Sequence, residues 1–179
     1  SYTRVASLQL PVVADGDYEL TVVTDRDNHV YEGPHEGNNT RPVIVRMRHA
    51  DLVPGFVTVP NQATSGDILP LQWEISNAGT APTLAAWTDR VYLSADAVLS
   101  GDDLLLTERV HTDSLAPGDS VTAAADVALP LATVGLRHLL LVTDATHAIE
   151  ELAAGNTNNL VAGPLEVTLI PHAELAVDS

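Results

Sequence analysis

ILPLQWEIS occupies residues 68–76, and its side chains alternate in character along the chain. Every second position is apolar, at Leu69, Leu71, Trp73 and Ile75. Proline, glutamine and glutamate lie between them, and serine follows Ile75. Because successive side chains of a β-strand point to opposite faces of the sheet, this period of two predicts a strand with one buried face. The stretch therefore predicts a β-fold.

The same signal recurs through most of the chain, and turn residues such as Gly, Asn and Asp separate the runs. No stretch has a convincing helical period with capping residues. About seven short strands in this order predict an all-β protein, specifically an immunoglobulin-like antiparallel β-sandwich. We expect Leu71, Trp73, Ile75, Val91, Leu141 and Val167 to point into its core. The predicted strands besides 68–76 cover 51–59, 87–95, 103–110, 120–129, 136–143 and 164–170.

The composition excludes several classes of partner. The chain of 179 residues has a formal net charge of −16, and all eight basic residues are arginine. An acidic surface repels phosphate backbones, so we expect no nucleic-acid partner. No apolar run is long enough for a transmembrane helix, so we expect no membrane insertion. There is no cysteine, so the packing of Trp73 and the aliphatic faces must hold the two sheets together without a disulfide.

The chain also resembles itself. Residues 1–32 align with residues 120–151 at a constant offset of 119 positions, and 11 of the 32 aligned pairs are identical. HADLV at 49–53 then matches HAELA at 172–176. Self-similarity at a fixed spacing is typical of tandem repeats, in which neighbouring units share one fold.

This repeat predicts the domain boundaries. Residues 50–172 form one complete immunoglobulin-like repeat, residues 1–49 form the C-terminal part of a preceding repeat, and residues 173–179 start the next one. The fragment at 1–49 should contain roughly the last three strands of a sandwich. The opening SYTRVASLQL has no signal-peptide pattern and is typical of the interior of a longer chain.

Four motifs resemble the bacterial cell-adhesion-related domain family, known as CARDB. They are the Ala-Asp-Leu-Val start at 50–53, W-x-I-x-N-x-G-T at 73–80, D-R-V-Y-L-S-x-D at 89–96, and VTDRDNHVYEGPHEGNN at 23–39. The resemblance covers 50–172 and, through its back half, 1–49. It implies an immunoglobulin-like sandwich, found in tandem in large bacterial surface or secreted proteins, with no known chemistry of its own.

The loop at 23–39 has two interpretations. Calcium binds six to eight oxygen ligands, which the carboxylates and amides of this loop could supply. Alternatively, Asp and Asn cap turns by accepting hydrogen bonds from nearby backbone N–H groups. The sequence favours capping, because the second copy has Thr146 and His147 where the first has Asp27 and Asn28. Calcium stays an option, and its candidate ligands are Asp25, Asp27, Asn28, Glu32, Asn38, Asp144, Glu151 and Asn158.

Other candidate sites are weaker. Asp96, Asp102 and Asp103 could hold an ion, but they equally fit a polar turn. The HTDS stretch at 111–114 places His, Asp and Ser side by side, and sequence neighbours on an extended chain do not form a catalytic triad. No histidine pair has metal-ligand spacing. We therefore expect that the protein is not an enzyme and needs no cofactor other than, optionally, calcium.

The leading functional hypothesis is a non-catalytic structural repeat that acts as a stalk or spacer in a large bacterial cell-surface or secreted protein. Its partners would be neighbouring repeats of the same chain, or other copies joined by β-strand pairing. The short joint RMRHADL between units suits a semi-rigid rod. The alternative is a module that binds a glycan or a protein, stabilised by calcium, with Trp87, Tyr92 and Tyr31 as candidate surface rings.

Overall fold

The computed structural model of the chain describes residues 3–171, so the predicted start of a further repeat at 173–179 lies outside the described residues. The chain divides into two compact units at the junction between His49 and Ala50. Two strands belong to the described part of the first unit and eight to that of the second. They are β1 (Gly16–Val23), β2 (Thr40–Met47), β3 (Leu52–Thr58), β4 (Gln62–Thr64), β5 (Ile68–Asn77), β6 (Trp87–Ser94), β7 (Leu104–His111), β8 (Ser120–Ala128), β9 (Gly135–Val142) and β10 (Leu160–Thr168).

The first unit is an antiparallel hairpin of β1 and β2. Its connection contains a 3-10 turn at Gly33–Asn38. Residues 3–15 form no strand, so the prediction of about three strands in this unit was wrong by one. The reason is visible in the second unit, where the aligned stretch becomes β8 because it pairs with β5. No counterpart of β5 exists within the described part of 1–49.

The second unit is the predicted sandwich. One sheet has five strands in the order β4-β10-β9-β6-β7, and the other has three in the order β3-β5-β8. Only the short β4 pairs in parallel, with the end of β10, among the strand pairs described. The all-β immunoglobulin-like prediction is therefore confirmed.

Two details differ from the sequence prediction. β4 was not predicted, because three residues are too few to show a period. β10 starts at Leu160, four positions before the predicted start. The prediction began too late because Gly163 and Pro164 are unfavourable within a strand. Proline is tolerated at this position because the outer edge of β10 is unpaired there. β4 pairs with that edge only from Glu166 onward, so the missing N–H of Pro164 interrupts no hydrogen bond between β10 and β4.

The core lies between the two sheets and agrees with the predicted alternation. All six residues expected to point inward are at most 2% exposed. Sheet packing of this kind buries one face of each strand, and β5 has its apolar residues alternately buried along the strand. Trp87 was suggested as a surface ring, and this was wrong. It is 1% exposed and stacks on His111 with ring centroids 4.7 Å apart.

The chain enters and leaves the second unit at opposite ends. At the entry, Ala50 pairs with Glu151 in an isolated bridge just before β3 begins. Glu151 belongs to the connection that precedes β10, so β3 and β10 both start at this end. β10 then runs nine residues to Thr168, which pairs with Thr64 at the other end of the sandwich.

Candidate functional site

The loop singled out in the sequence occurs in both units with the same turn geometry. Asp25 Oδ1 accepts a hydrogen bond from the N–H of His29 at 2.8 Å, and Oδ2 accepts one from the N–H of Val30 at 3.0 Å. Asp144 does the same with Ala148 at 2.9 Å and Ile149 at 3.0 Å. Each aspartate therefore caps its own turn with both carboxylate oxygens.

The turns also share an unusual backbone. Asp25 and Asn28 have φ of 44° and 52°, and Asp144 and His147 have φ of 43° and 53°. Left-handed φ is uncommon for residues other than glycine, and Asp, Asn and His are enriched there. Asn28 and His147 therefore have the same backbone conformation at the same position of the turn, which supports a conformational role for this position.

The candidate calcium ligands do not come together as one donor set in the described residues. Asp27, Asn28 and Asn38 are exposed. Asp144 already accepts two backbone hydrogen bonds. Among the side chains that the structure describes, no group of three or more His, Asp or Glu is placed to hold a metal ion.

Glu151 has a different role from the capping aspartates. Its Oε1 accepts a hydrogen bond from the N–H of Leu52 at 2.5 Å, and its Oε2 accepts one from Asn159 Nδ2 at 2.7 Å. It is 4% exposed. This carboxylate ties the first residue of β3 to the connection between β9 and β10, although 99 residues separate Glu151 from Leu52.

Burial raises the pKa of the Glu151 carboxyl. Its two hydrogen-bond donors act in the opposite direction, and the nearby carboxylates of Asp144 and Asp51 act with burial. Asp51 itself accepts a hydrogen bond from Asn158 Nδ2 at 2.9 Å. The side-chain amides of the neighbouring residues Asn158 and Asn159 thus donate to carboxylates. Turn chemistry alone suggests backbone partners for such amides.

Asp89 is the buried polar centre of the sandwich, and sequence reasoning did not single it out. It is 0% exposed. Its Oδ2 accepts hydrogen bonds from Trp73 Nε1 at 2.9 Å and is 2.7 Å from His111 Nε2, and its Oδ1 accepts one from Thr143 Oγ1 at 2.8 Å. Trp73 belongs to the three-stranded sheet and Asp89 to the five-stranded sheet. A polar bond therefore joins the two sheets of this cysteine-free domain.

The period of two could have identified this residue. Asp89 lies two positions from Val91, which was predicted to face the core, and two positions from Trp87. In a strand those residues share one face, so the pattern already placed a carboxylate and an indole inside. A buried carboxylate needs hydrogen-bond donors. The indole N–H of Trp73, which was also predicted to face the core, is one such donor.

Asn77 is a second polar residue of this kind. Its Oδ1 accepts a hydrogen bond from the N–H of Asp51 at 3.2 Å, and its Nδ2 donates to the carbonyls of Ala81 and Leu115 at 2.8 and 2.9 Å. It is 1% exposed. The Asn and Gly of W-x-I-x-N-x-G-T thus fix the chain where β5 ends, since Gly79 N–H also donates to Asn77 Oδ1.

The acidic stretch around Asp96 is a set of capped turns. Asp96 Oδ1 accepts a hydrogen bond from the N–H of Val98 at 2.8 Å. Asp103 Oδ2 accepts one from the N–H of Ser100 at 2.7 Å, and Asp102 Oδ1 accepts one from the Ser100 hydroxyl at 2.6 Å. A hydrogen bond from Ser94 lowers the pKa of Asp103. These contacts agree with the turn interpretation.

The HTDS stretch does not form a catalytic triad. His111 contacts Asp89 in the core, Ser114 donates to the carbonyl of Thr83 at 2.7 Å, and Asp113 is exposed. The three side chains thus have separate partners or surroundings, and none activates another.

The sandwich with its Trp–Asp tie between sheets defines an immunoglobulin-like β-domain. The model of the CARDB family matches residues 49–162, more than half of the chain. The chain therefore belongs to the CARDB family, as the motifs indicated. This makes the matched region an adhesion-related domain of a non-catalytic family.

Solved structures agree with this assignment at the level of the fold. The crystal structure of a CARDB domain from Pyrococcus furiosus, in complex with di-metal ions, has 16% sequence identity and a TM-score of 0.52, and the match covers 67% of this chain and 90% of that one. The solution NMR structure of that domain has 18% identity and a TM-score of 0.53, with 69% and 100% covered. At sequence identities this low, the similarity shows a common fold and nothing about function.

A β-glucosidase from Listeria innocua is more distant. It has 12% identity and a TM-score of 0.45, and the match covers 69% of this chain and 17% of the glucosidase. This likeness carries no argument about activity. A search of curated proteins found no match. In the described part of the chain, none of the helices has the length and apolarity needed to span a membrane.

Proposed function

We propose that residues 50–172 form a spacer module in a tandem array of such modules, which holds another part of a bacterial surface or secreted protein at a distance. The observation that carries this proposal is the path of the chain through the second unit. A module whose entry and exit lie at opposite ends adds its full length to an array. A module whose entry and exit lie at the same end would project sideways from the array and add little to its length.

The link between units is short. β2 ends at Met47 and β3 begins at Leu52, which leaves four residues between the strands. Short links restrict the motion of one module against the next. In addition, the bridge from Ala50 to Glu151 and the hydrogen bond from Leu52 to Glu151 hold the beginning of the module from its first residues.

The tandem arrangement has support from pairing register. Gly16 pairs with Met47 and Leu20 with Val43. At the aligned positions, Gly135 pairs with Val167 and Leu139 with Gly163. Two hairpins in one chain thus have the same register as well as the same capped turn. The adhesion-related family supports a location outside the cell, which is compatible with an acidic chain with a net charge of −16.

Calcium enters this proposal only as an optional stabiliser. The Pyrococcus domain was solved with metal ions, but Asp25 and Asp144 already cap turns in this chain. The glycan-binding alternative loses its main candidate ring, because Trp87 lies in the core. Of the other two candidate rings, Tyr31 is 89% exposed and Tyr92 is half-buried.

The experiment places a peptide tag at the outer end of one, two or four copies of residues 50–172 anchored on a bacterial surface. We expect binding of antibody-coated beads to increase with copy number. The matched control is a flexible Gly-Ser linker with the same number of residues, whose mean span increases only as the square root of its length, so bead binding should increase less steeply with its length than with module number. Equal bead binding for all copy numbers would contradict a spacer role, and bead binding without a tag would point to a ligand-binding module.

A further inference from the structure

The hairpin of the first unit exposes residues that its counterpart in the second unit buries. Leu20 is 38% exposed, whereas the aligned Leu139 is 0% exposed. Val30 is 60% exposed, whereas the aligned Ile149 is 7% exposed. Contiguous exposed apolar surface on a sheet marks an interaction site, and here the second unit shows what occupies the equivalent surface.

Three things cover the hairpin of the second unit. β6 pairs with the outer edge of β9, from Arg90 opposite Val142 to Ser94 opposite His138. β4 pairs with the outer edge of β10. The sheet of β3, β5 and β8 packs on the inner face, where the core cluster includes both Leu71 and Leu139. All of this cover comes from the segment before β9.

We propose that the hairpin of β1 and β2 binds a front segment of another CARDB repeat, equivalent to residues 50–119 and not contained in these 179 residues. The inference rests on the tandem arrangement proposed above. The register follows from the second unit. The residue equivalent to Arg90 lies opposite Val23, and the residue equivalent to Ser94 lies opposite Glu19.

Residues 3–10 complete the bound structure. They align with β8, which is a strand because β5 holds it from Ile68 to Ser76. In the first unit they are not in a strand. When a β5-like strand arrives, Ala6, Leu8 and Leu10 take the places of Ala125, Val127 and Leu129 on the core side. Binding therefore also orders this stretch as the edge of the second sheet.

A second copy of this chain is a poor occupant for a reason of stoichiometry. Each copy has two hairpins, at 16–47 and 135–168, and one front segment at 50–119. That front segment already covers the hairpin of its own unit. A second copy would have to expose one hairpin in order to cover another, so the exchange gains no buried surface.

The hairpin also restricts which front segment fits. Val43 stands where the second unit has Gly163, and a Cβ at Gly163 would lie 3.5 Å from the ring of Phe56. A Cβ at that distance is already in van der Waals contact with the ring, and valine has two further methyl groups beyond its Cβ. We therefore expect the segment that binds this hairpin to have a side chain smaller than Phe at the position of Phe56.

The test adds residues 50–119 directly before Ser1, which restores the spacing of the second unit. One extended chain has Phe56→Ala in the added segment, and another keeps Phe56 and has Val43→Gly in the hairpin. Both relieve the same contact from opposite sides. Amide hydrogen exchange is then measured on the 179-residue chain and on both extended chains.

We expect the edge amides of β1 and the amides of residues 3–10 to exchange about 100-fold more slowly in at least one extended chain than in the 179-residue chain. Leu20→Asp should remove this protection while leaving exchange in the second unit unchanged. Unchanged exchange in both extended chains would overturn the proposal. Protection of the same amides in the 179-residue chain, rising with its concentration, would instead identify a second copy as the occupant. Neither result bears on the spacer role, which is tested with complete copies of 50–172.

Discussion

At the scale of single residues, the two capped turns explain the acidic loop without a bound ion. Asp144 satisfies the N–H groups of Ala148 and Ile149, and its positive φ suits Asp, Asn or Gly better than Ala. The same arrangement at Asp25 lies in the other unit. The chain thus contains its own matched control for each substitution.

We predict that Asp144→Ala lowers the free energy of unfolding of the second unit by about 1–3 kcal/mol, the cost of leaving buried donors without acceptors. Asp144→Asn should cost less, since it keeps one acceptor and tolerates the backbone. Asp25→Ala should leave the unfolding of the second unit unchanged. Urea denaturation followed by Trp fluorescence measures this, because Trp73 and Trp87 both lie in that unit. Equal losses for Asp144→Ala and Asp25→Ala would count against the local role of each cap.

The same turns predict little response to calcium. A calcium concentration a hundredfold above a dissociation constant would stabilise a binding protein by about 2.7 kcal/mol. We expect no such rise in melting temperature, because the capping oxygens are in use. A large rise that disappears with Asp25→Ala and Asp144→Ala together would contradict this and would make the array calcium-stiffened.

Glu151 predicts a pH dependence whose sign can be worked out. Burial raises its pKa in the folded state above the usual 4.5, so the folded unit keeps a proton that the unfolded chain has lost. The free energy of unfolding therefore falls as the pH rises from 4.5 through the raised pKa, and this contribution is then level.

We predict that Glu151→Gln removes this dependence. The variant should gain stability relative to the native chain as the pH rises through that window, measured by urea denaturation at a series of pH values. The buried Oδ1 of Asn159 has no hydrogen-bond partner and can accept from the new amide after a flip. Glu151→Ala should cost about 1–3 kcal/mol at low pH, because the N–H of Leu52 loses its acceptor, and this cost should decrease through the same pH window as the native chain loses stability. A constant difference between Glu151→Gln and the native chain would contradict the assignment.

At the scale of the strands, one buried carboxylate joins two sheets. Asp89 on β6 receives the indole N–H of Trp73 on β5 and the hydroxyl of Thr143 after β9. Antibody domains join their two sheets with a disulfide, whereas in this cysteine-free domain a polar bond joins them. Removing such a buried group leaves its donors without partners in the core.

We predict that Asp89→Ala lowers the stability of the second unit by about 3–5 kcal/mol, because the buried Trp73 and Thr143 donors lose their acceptor, at a cost of about 1–3 kcal/mol for each unsatisfied group. Asp96→Ala is the matched control, since it removes an exposed aspartate a few positions later, and it should cost much less. Thermal unfolding followed by near-ultraviolet circular dichroism reports both. Similar melting temperatures for the two variants would show that the tie between sheets contributes little.

The strands show how far the sequence could be read. Alternation in β5 predicted the burial of Trp73 and its neighbours, because one face of a sandwich strand must be apolar. It could not predict β4, since a three-residue strand exists only through its pairing with the end of β10. Nor could it predict that residues 3–10 form no strand, because their alternating pattern is similar to that of β8. The difference lies in the absent partner strand, which is a property of the tertiary structure.

The candidate sites follow the same division. Local turn chemistry was readable, and the preference for capping over calcium at 23–39 came from comparing the two copies. Contacts between distant residues were not readable in this way. Glu151 with Leu52, and Asn158 with Asp51, depend on how the connection between β9 and β10 folds over the start of β3. Single-sequence patterns contain no information on such pairings.

At the scale of the whole molecule, the proposed spacer role depends on the path of the chain. β10 has nine residues, which span about 30 Å at 3.3 Å per residue. A module of this length with a short link to the next one predicts a rod that grows in equal steps. A flexible chain of the same modules would grow more slowly, with its mean dimension rising roughly as the square root of the number of modules.

The most direct test is small-angle X-ray scattering from one, two, three and four tandem copies of residues 50–172. We expect a maximum dimension that increases by about 30–40 Å with each copy. The matched control inserts a long Gly-Ser linker at each junction, which should shorten the mean dimension per residue. Compact particles, or increments that shrink with each added copy as in the flexible control, would contradict the proposal that this CARDB domain is a spacer.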